Sequence, residues 1–288
     1  MKNSIHMLAS VDGGQMNSFI ITTEGGHVMV IDGGENNDAA NLIGHLKALT
    51  GKEIPHIDAW ILSHPHADHI CAFLQIMETM PESVTVGKVY YNFPSADFIA
   101  GLQPWPDESP ARFYRDLPLF ADKLVVVTRT DAFDVGDAHF ECLYSPNPEI
   151  TENVCNNSSL VLMMTLGGKK TLWLGDAGEE EGDRILALCG DPSALKADYV
   201  QMAHHGQCGV KKDFYEAVSP VGCFWNTPKW LWENDAGLGY NTHGWKTIEV
   251  QGWMADIGVK EHYLYPSFCS CNGAHQTGRA SANDYKVT

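Results

Sequence analysis

Between positions 64 and 69 the chain reads His64-Pro65-His66-Ala67-Asp68-His69, directly after the apolar run Ile57 to Ser63. Three imidazoles and a carboxylate within six residues, where a strand gives way to a loop, form a metal-ligand arrangement. Alternate residues of an extended stretch point the same way, so His64 and His66 can grip one ion together. Asp68 and His69, one step along a turning loop, face a second ion beside it. Neutral imidazole and carboxylate suit zinc, and also iron or manganese. Whatever fold this chain adopts must converge on that cluster.

A two-metal site needs ligands from elsewhere, and two segments offer them at equivalent places. Trp173-Leu174-Gly175-Asp176 is a strand ending on a carboxylate that can bridge two ions. Met202-Ala203-His204-His205-Gly206 is a strand ending in paired imidazoles. Either alone is a common turn; both following a complete four-ligand cluster indicate one site.

The rest of the chain supplies the scaffold. Met16–Thr23 and His27–Ile31 are apolar runs around Glu24-Gly25-Gly26, the pattern of a β-hairpin, and Asp32-Gly33-Gly34 ends the second strand sharply. Ala39–Leu49 carries Leu42, Ile43, Leu46 and Leu49 at helical spacing and stops near Gly51. After the strand at 57–63 come a helix over Ile70–Met80 and a strand over Val84–Asn92. Phe93–Leu119, rich in Pro and aromatics, reads as a long loop or insertion over one edge. Strands follow at Leu124–Thr128 and His139–Tyr144, and a second hairpin at Ser158–Leu166 and Thr171–Leu174. Helices are expected over Glu179–Leu188, Lys212–Ala217 and Gly244–Ile257, with strands at Tyr199–Ala203, Gly222–Asn226 and Glu261–Tyr265. Strands interspersed with helices in both halves suggest two sheets packed face to face with helices outside. No fixed-period repeat, low-complexity tract or linker interrupts them, so residues 1–288 read as a single domain.

Charge narrows the function. The net charge of −17 disfavours a general nucleic-acid or anionic-membrane binder, which needs clustered Lys and Arg. Bound divalent cations would cancel part of it. No apolar run approaches membrane-spanning length, and Met1–Gly14 lacks a signal-peptide stretch, so a soluble cytoplasmic protein is expected. The eight cysteines (71, 142, 155, 189, 208, 223, 269 and 271) are scattered and read as reduced packing residues.

In this order the motifs resemble the metallo-β-lactamase fold superfamily, and within it the branch containing the hydrolase domain of the competence channel protein ComEC and the bacterial phosphorylcholine esterases. The resemblance covers nearly the whole chain. It rests on Ile31-Asp32-Gly33-Gly34, His64 to His69, Asn156-Asn157-Ser158-Ser159-Leu160, Gly175-Asp176-Ala177, His204-His205-Gly206 and Asn241-Thr242-His243-Gly244. It implies an α/β (α+β) four-layer αββα sandwich of two mixed β-sheets flanked by helices, with metals at one rim. It also implies His64 and His66 on the first metal, Asp68 and His69 on the second, and Asp176 bridging. One of His204 and His205 completes the second metal, and His204, first off the strand, is preferred. Asn156-Asn157 stands where other members carry a further imidazole for the first metal, leaving an amide or water to fill that place, or the pair to contact substrate or cap a strand. Cys71-Ala72 replaces the usual Gly-Gly after the cluster, and Gln207 the usual Ser after His204-His205-Gly206.

The expected activity is a metal-dependent hydrolysis. A hydroxide held by two divalent ions is the nucleophile, and the ions stabilise charge developing on a phosphoryl or acyl group. Asp68 would orient that hydroxide. His243, if its segment folds back, would contact substrate or protonate the leaving group; a plain loop histidine is the equal alternative. A small phosphodiester is the first-choice substrate, since Lys169-Lys170, Lys211-Lys212 and Lys229 are too sparse for a polymer track. A lactone, thioester or β-lactam is the alternative on the same fold, and a non-catalytic metal-binding or sensing descendant the second. The aromatics from Phe224 to Trp245 are expected mainly in packing, with a pocket wall for a cationic or planar group as the other reading.

Overall fold

Ser18-Phe19-Ile20-Ile21-Thr22 and Val28-Met29-Val30-Ile31-Asp32 have no polar face for water, and all their residues are buried. Strands of that kind belong inside a sheet covered on both sides. In the computed structural model, which describes residues 1–103, 105–265 and the strand 284–286, they follow β1 (Ser4–Met7) as β2 and β3. They pair antiparallel from Ser18↔Asp32 to Thr22↔Val28, which is the expected first hairpin. β4 (His56–Ile61), β5 (Thr85–Tyr91) and β6 (Leu124–Val126) continue this sheet in parallel.

A second sheet repeats the plan. β7 (Ala132–Val135), β8 (Ala138–Tyr144), β9 (Val161–Leu166) and β10 (Lys169–Trp173) run antiparallel. β11 (Tyr199–Gln201), β12 (Gly222–Phe224) and β13 (Glu261–Tyr263) then add in parallel. β14 (Asp284–Lys286) returns to the first sheet against β1, so among the described residues each sheet has seven strands.

Parallel neighbours need crossovers, and helices supply them. α1 (Ala39–Thr50) and α2 (Ala67–Thr79) serve the first sheet. α3 (Ala96–Leu102) and α4 (Ser109–Asp116) lie between β5 and β6. α5 (Glu179–Cys189), α6 (Lys212–Val218), the short α7 (Lys229–Trp232) and α8 (Thr247–Ile257) serve the second. The core between the sheets is aromatic: Phe19 of β2 meets Trp173 of β10 edge-on at 4.9 Å, and Phe224 of β12 closes the group. Ile185, Phe214, Tyr215, Val250 and Met254 pack from α5, α6 and α8 onto Leu172, Val200 and Cys223. Two mixed sheets flanked by helices are therefore the architecture.

Three local expectations change. α2 starts at Ala67, not Ile70, because His66 is extended (ψ 156) and the chain turns helical at once, so Asp68 and His69 occupy a helix's first turn rather than a loop. The stretch 93–119 is no open loop: Ser95 caps α3 by accepting from the Phe98 amide at 3.2 Å, and Pro110 sits in the first turn of α4, where its missing N–H costs nothing. The last helix starts at Thr247, not Gly244. Cys71, Cys142, Cys155, Cys189, Cys208 and Cys223 are free thiols, while Cys269 and Cys271 lie outside the described residues. Among the described residues no helix is long and apolar enough to cross a membrane.

Candidate metal centre

Parallel strands present their carboxyl ends to ligands, and here those of both sheets meet at one rim. Asp32 ends β3, His64–His69 follow β4, Asp176 follows β10, and His204-His205 follow β11. Gly175 makes the turn that aims Asp176: it has φ +53°, and a Cβ there would lie 2.8 Å from Ser159 Oγ and 2.9 Å from Ser63 Cβ. The Asp176 amide donates to Ser159 Oγ at 2.9 Å.

Asp176 stands in the middle. Its Oδ1 is 3.2 Å from His69 Nε2; its Oδ2 is 3.5 Å from His205 Nε2 and 3.9 Å from His64 Nε2. Asp68 Oδ2 lies 3.0 Å from His205 Nε2 and 4.0 Å from His69 Nε2. On the other side His64 Nε2 and His66 Nδ1 are 3.0 Å apart. Two donors on one tetrahedral zinc sit about 3.3 Å apart, a value inside the range from 3.0 Å to 4.0 Å found here. Two donor groups emerge, His64 with His69 and Asp176, and Asp68 with His69 and His205.

The outer nitrogens are held from behind. Asp32 Oδ2 takes His69 Nδ1 at 2.7 Å, the Asn226 carbonyl takes His205 Nδ1 at 3.0 Å, and Ser63 Oγ is 3.2 Å from His64 Nδ1. Such partners fix each tautomer so that the inner lone pair faces the centre. Asp32 does more: its buried carboxylate also accepts from the Ser63 amide, Ser63 Oγ and Asn17 Nδ2, each at 2.7 Å.

Electrostatics fits a cation. Burial opposes the charge on His205, but Asp176 and Asp68 outweigh it and raise its pKa to about 9. Burial likewise opposes His69, and Asp176, Asp32 and Asp68 lift it well above the imidazole range. Burial holds His64 well below that range, with His69 adding to the effect. The inner nitrogens of His69 and His205 and Oδ1 of Asp176 are buried and fall outside hydrogen-bond geometry. Buried polar atoms are rarely left so, and divalent ions would satisfy all of them at once.

A family model, the Metallo-beta-lactamase superfamily, matches residues 11–204. The chain belongs to the metallo-beta-lactamase superfamily. The ComE operon protein 3 of Bacillus subtilis (strain 168) is 28% identical over 174 residues, 60% of this chain. That match spans 20% of the relative's length. Among solved structures, the diiron β-hydroxylase CmlA from Streptomyces venezuelae superposes with TM-score 0.54 at 12% identity, covering 92% of this chain and 53% of that one. The metallo-beta-lactamase fold protein YhfI from Bacillus subtilis gives TM-score 0.51 at 11% identity, covering 91% and 95%. At these identities the likeness is one of fold, and the metallo-beta-lactamase fold binds divalent metals, in keeping with the two His/Asp donor groups at this rim.

Several sequence expectations are redistributed by this geometry. His205, not the preferred His204, meets Asp68 and His69. Both residues have left-handed backbone (φ 50° and 54°), and this reversal turns the second imidazole inward. His204 is 20% exposed, with Nε2 3.8 Å from Asp176 Oδ2 and 3.3 Å from Asn156 Nδ2, and belongs to neither three-donor group. The asparagine pair divides. Asn157 Oδ1 accepts from the amides of Gly178 and Glu181 and caps α5, a structural role. Asn156 faces the cavity with its Oδ1 buried and unbonded. His243 is exposed and stacks on Trp245 at 3.3 Å, so it reaches the site only through that indole.

A cavity of about 620 Å³ opens over the centre, with Trp105, Asp107, Asn156, His204, Gln207 and Trp245 in its wall. Of the late aromatics only Trp245 lines it, while Phe224 and Trp225 are core. No lysine or arginine among the described residues lines it. The sequence marks Asp32 only as a strand end within Ile31-Asp32-Gly33-Gly34, and gives no site role to it or to Ser63, Trp105 and Asp107. A signal existed only for Asp32, a carboxylate ending an entirely apolar strand.

Proposed function

We propose that this chain is a two-metal hydrolase acting on a small phosphodiester. The observation that carries the reading is Asp176, whose Oδ1 faces His69 and whose Oδ2 faces His205 and His64, so that one carboxylate reaches members of both three-donor groups. Divalent ions held there would supply an acidified water and a Lewis acid for a phosphoryl oxygen. The residues do the remaining work. Asp68, held ionised by His69 and His205 against the cost of burial, orients the attacking group. Asn156 and His204 contact the substrate from the cavity wall, and Trp105 and Trp245 bound its leaving group. With no lysine or arginine among the described residues in the wall, substrate charge would be met by the metals, which suits one phosphodiester better than a polymer.

Zinc is the first choice for the metals, on the imidazole-rich donor set; the diiron neighbour supports iron as the second. The test is metal analysis of protein prepared without chelator, followed by turnover of bis(p-nitrophenyl) phosphate against lactones, thioesters and nitrocefin. Two equivalents of metal with phosphodiester turnover is expected. Preferred turnover of an acyl substrate would move the chain to the acyl hydrolases, and absence of transition metal would overturn the enzyme reading.

A further inference from the structure

Three of the inward-facing imidazoles have their outer nitrogens held, by Asp32, by the Asn226 carbonyl and by Ser63. His66 is the exception. Its Nδ1 faces His64, so Nε2 is its outer nitrogen, and that atom is buried without a hydrogen-bond partner. Asp107 Oδ2 stands 3.9 Å from it. The other oxygen of Asp107 accepts from the Ser109 amide at 2.8 Å, which anchors the carboxylate at the start of α4. Both side chains are largely shielded, at 13% and 14% exposure. Asp107 lies just before α4, which is pinned to α2 by Cys71 Sγ and Ser109 Oγ at 3.4 Å and by Arg112 on Glu78 at 2.7 Å.

We propose that Asp107 is the outer-sphere carboxylate of His66, a positioning residue that accepts its Nε2–H and holds the ring with the Nδ1 lone pair toward the first metal. The inference rests on the two-metal reading above. A hydrogen bond needs a separation about 1 Å shorter than the present one, a shift within reach of a carboxylate tethered by one oxygen. A partner of this kind fixes the tautomer and raises ligand basicity. It also makes the inserted segment part of the metal site, since the same stretch carries Trp105 into the cavity wall.

The test is a zinc titration of the metal-stripped full chain against a competing chelator, for wild type, Asp107→Asn, Asp107→Glu, His66→Ala and the double variant His66→Ala/Asp107→Asn. Asp107→Asn keeps a side-chain oxygen for the Ser109 amide, and thermal unfolding without metal checks that it folds. Wild type is expected to bind two zinc ions. Asp107→Asn should hold one at wild-type affinity and the other 10–100-fold more weakly, with Asp107→Glu recovering much of the loss. The double variant should bind no more weakly than His66→Ala, because the carboxylate acts through that ring. Two wild-type affinities in Asp107→Asn, or losses that add in the double variant, would overturn the assignment while leaving the two-metal reading intact. Fewer than two zinc ions on wild type would overturn both.

Discussion

Asp32 Oδ2 lies 2.7 Å from His69 Nδ1, with both side chains fully buried. His69 belongs to both three-donor groups, so this contact orients the imidazole that the two halves of the centre share. The carboxylate can do so because Asp32 sits in left-handed backbone, φ 55°, which turns it back under the His64–His69 segment.

Asp32→Asn keeps a residue type that tolerates that backbone but removes the charge and one acceptor. Metal affinity should fall 10–100-fold, as for other outer-sphere losses. Stability should fall by about 1–3 kcal/mol from the unpaired donors left behind. Chelator competition and denaturant unfolding read the two effects. Unchanged affinity with lowered stability would make Asp32 a turn holder only.

Gly175→Ala places a Cβ 2.8 Å from Ser159 Oγ at a positive φ. Overpacking and strain together should cost about 1–3 kcal/mol. Asp176 is the next residue, so metal content should fall with the melting temperature. A variant that melts lower yet holds two metals would show that the turn adapts without moving Asp176.

The left-handed pair His204-His205 sets up a direct comparison. His205→Ala should lose metal, because its ring faces Asp68 and Asp176. His204→Ala should keep both metals and lose turnover. His243→Ala should keep metal and nearly all turnover, since only Trp245 stands between it and the cavity. Metal loss in His204→Ala would return that residue to the ligands.

Glu35 gives a pH signature. Burial, then Asp68 and Asp38, raise its pKa from 4.5 to about 7 in the folded protein. The folded state thus binds the extra proton between those values, and stability contributed by Glu35 is lost as pH rises from 4.5 through about 7. Glu35→Gln should leave the melting temperature of metal-free protein nearly unchanged near pH 4 and raise it at pH 8. An equal difference at both values would assign the effect to packing.

The legible part of this molecule was the part whose partners lie close in sequence. His64 to His69 declare themselves because four donors follow one strand, and Asp176 because it ends another. The hairpin of β2 and β3 shows in two apolar runs around two glycines. What stayed hidden depends on distant contacts. Asp107 acquires meaning only when α3 and α4 fold against α2, and the Pro-rich sequence there masks both helices. Asn156 and Asn157 are chemically identical neighbours, separated only by which one meets the amides of α5. His204 and His205 are likewise told apart by two backbone dihedrals.

The centre draws His64, His66, Asp68 and His69 from the first sheet, and Asp176 and His205 from the second. Between these two sets of donors the chain passes from the first sheet to the second through residues 127–131, before β7. A polypeptide divided there would leave neither fragment with a complete donor set. Metal uptake by the mixed fragments would then report their reassembly, so the ions serve as a molecular test of whether the two halves have found each other.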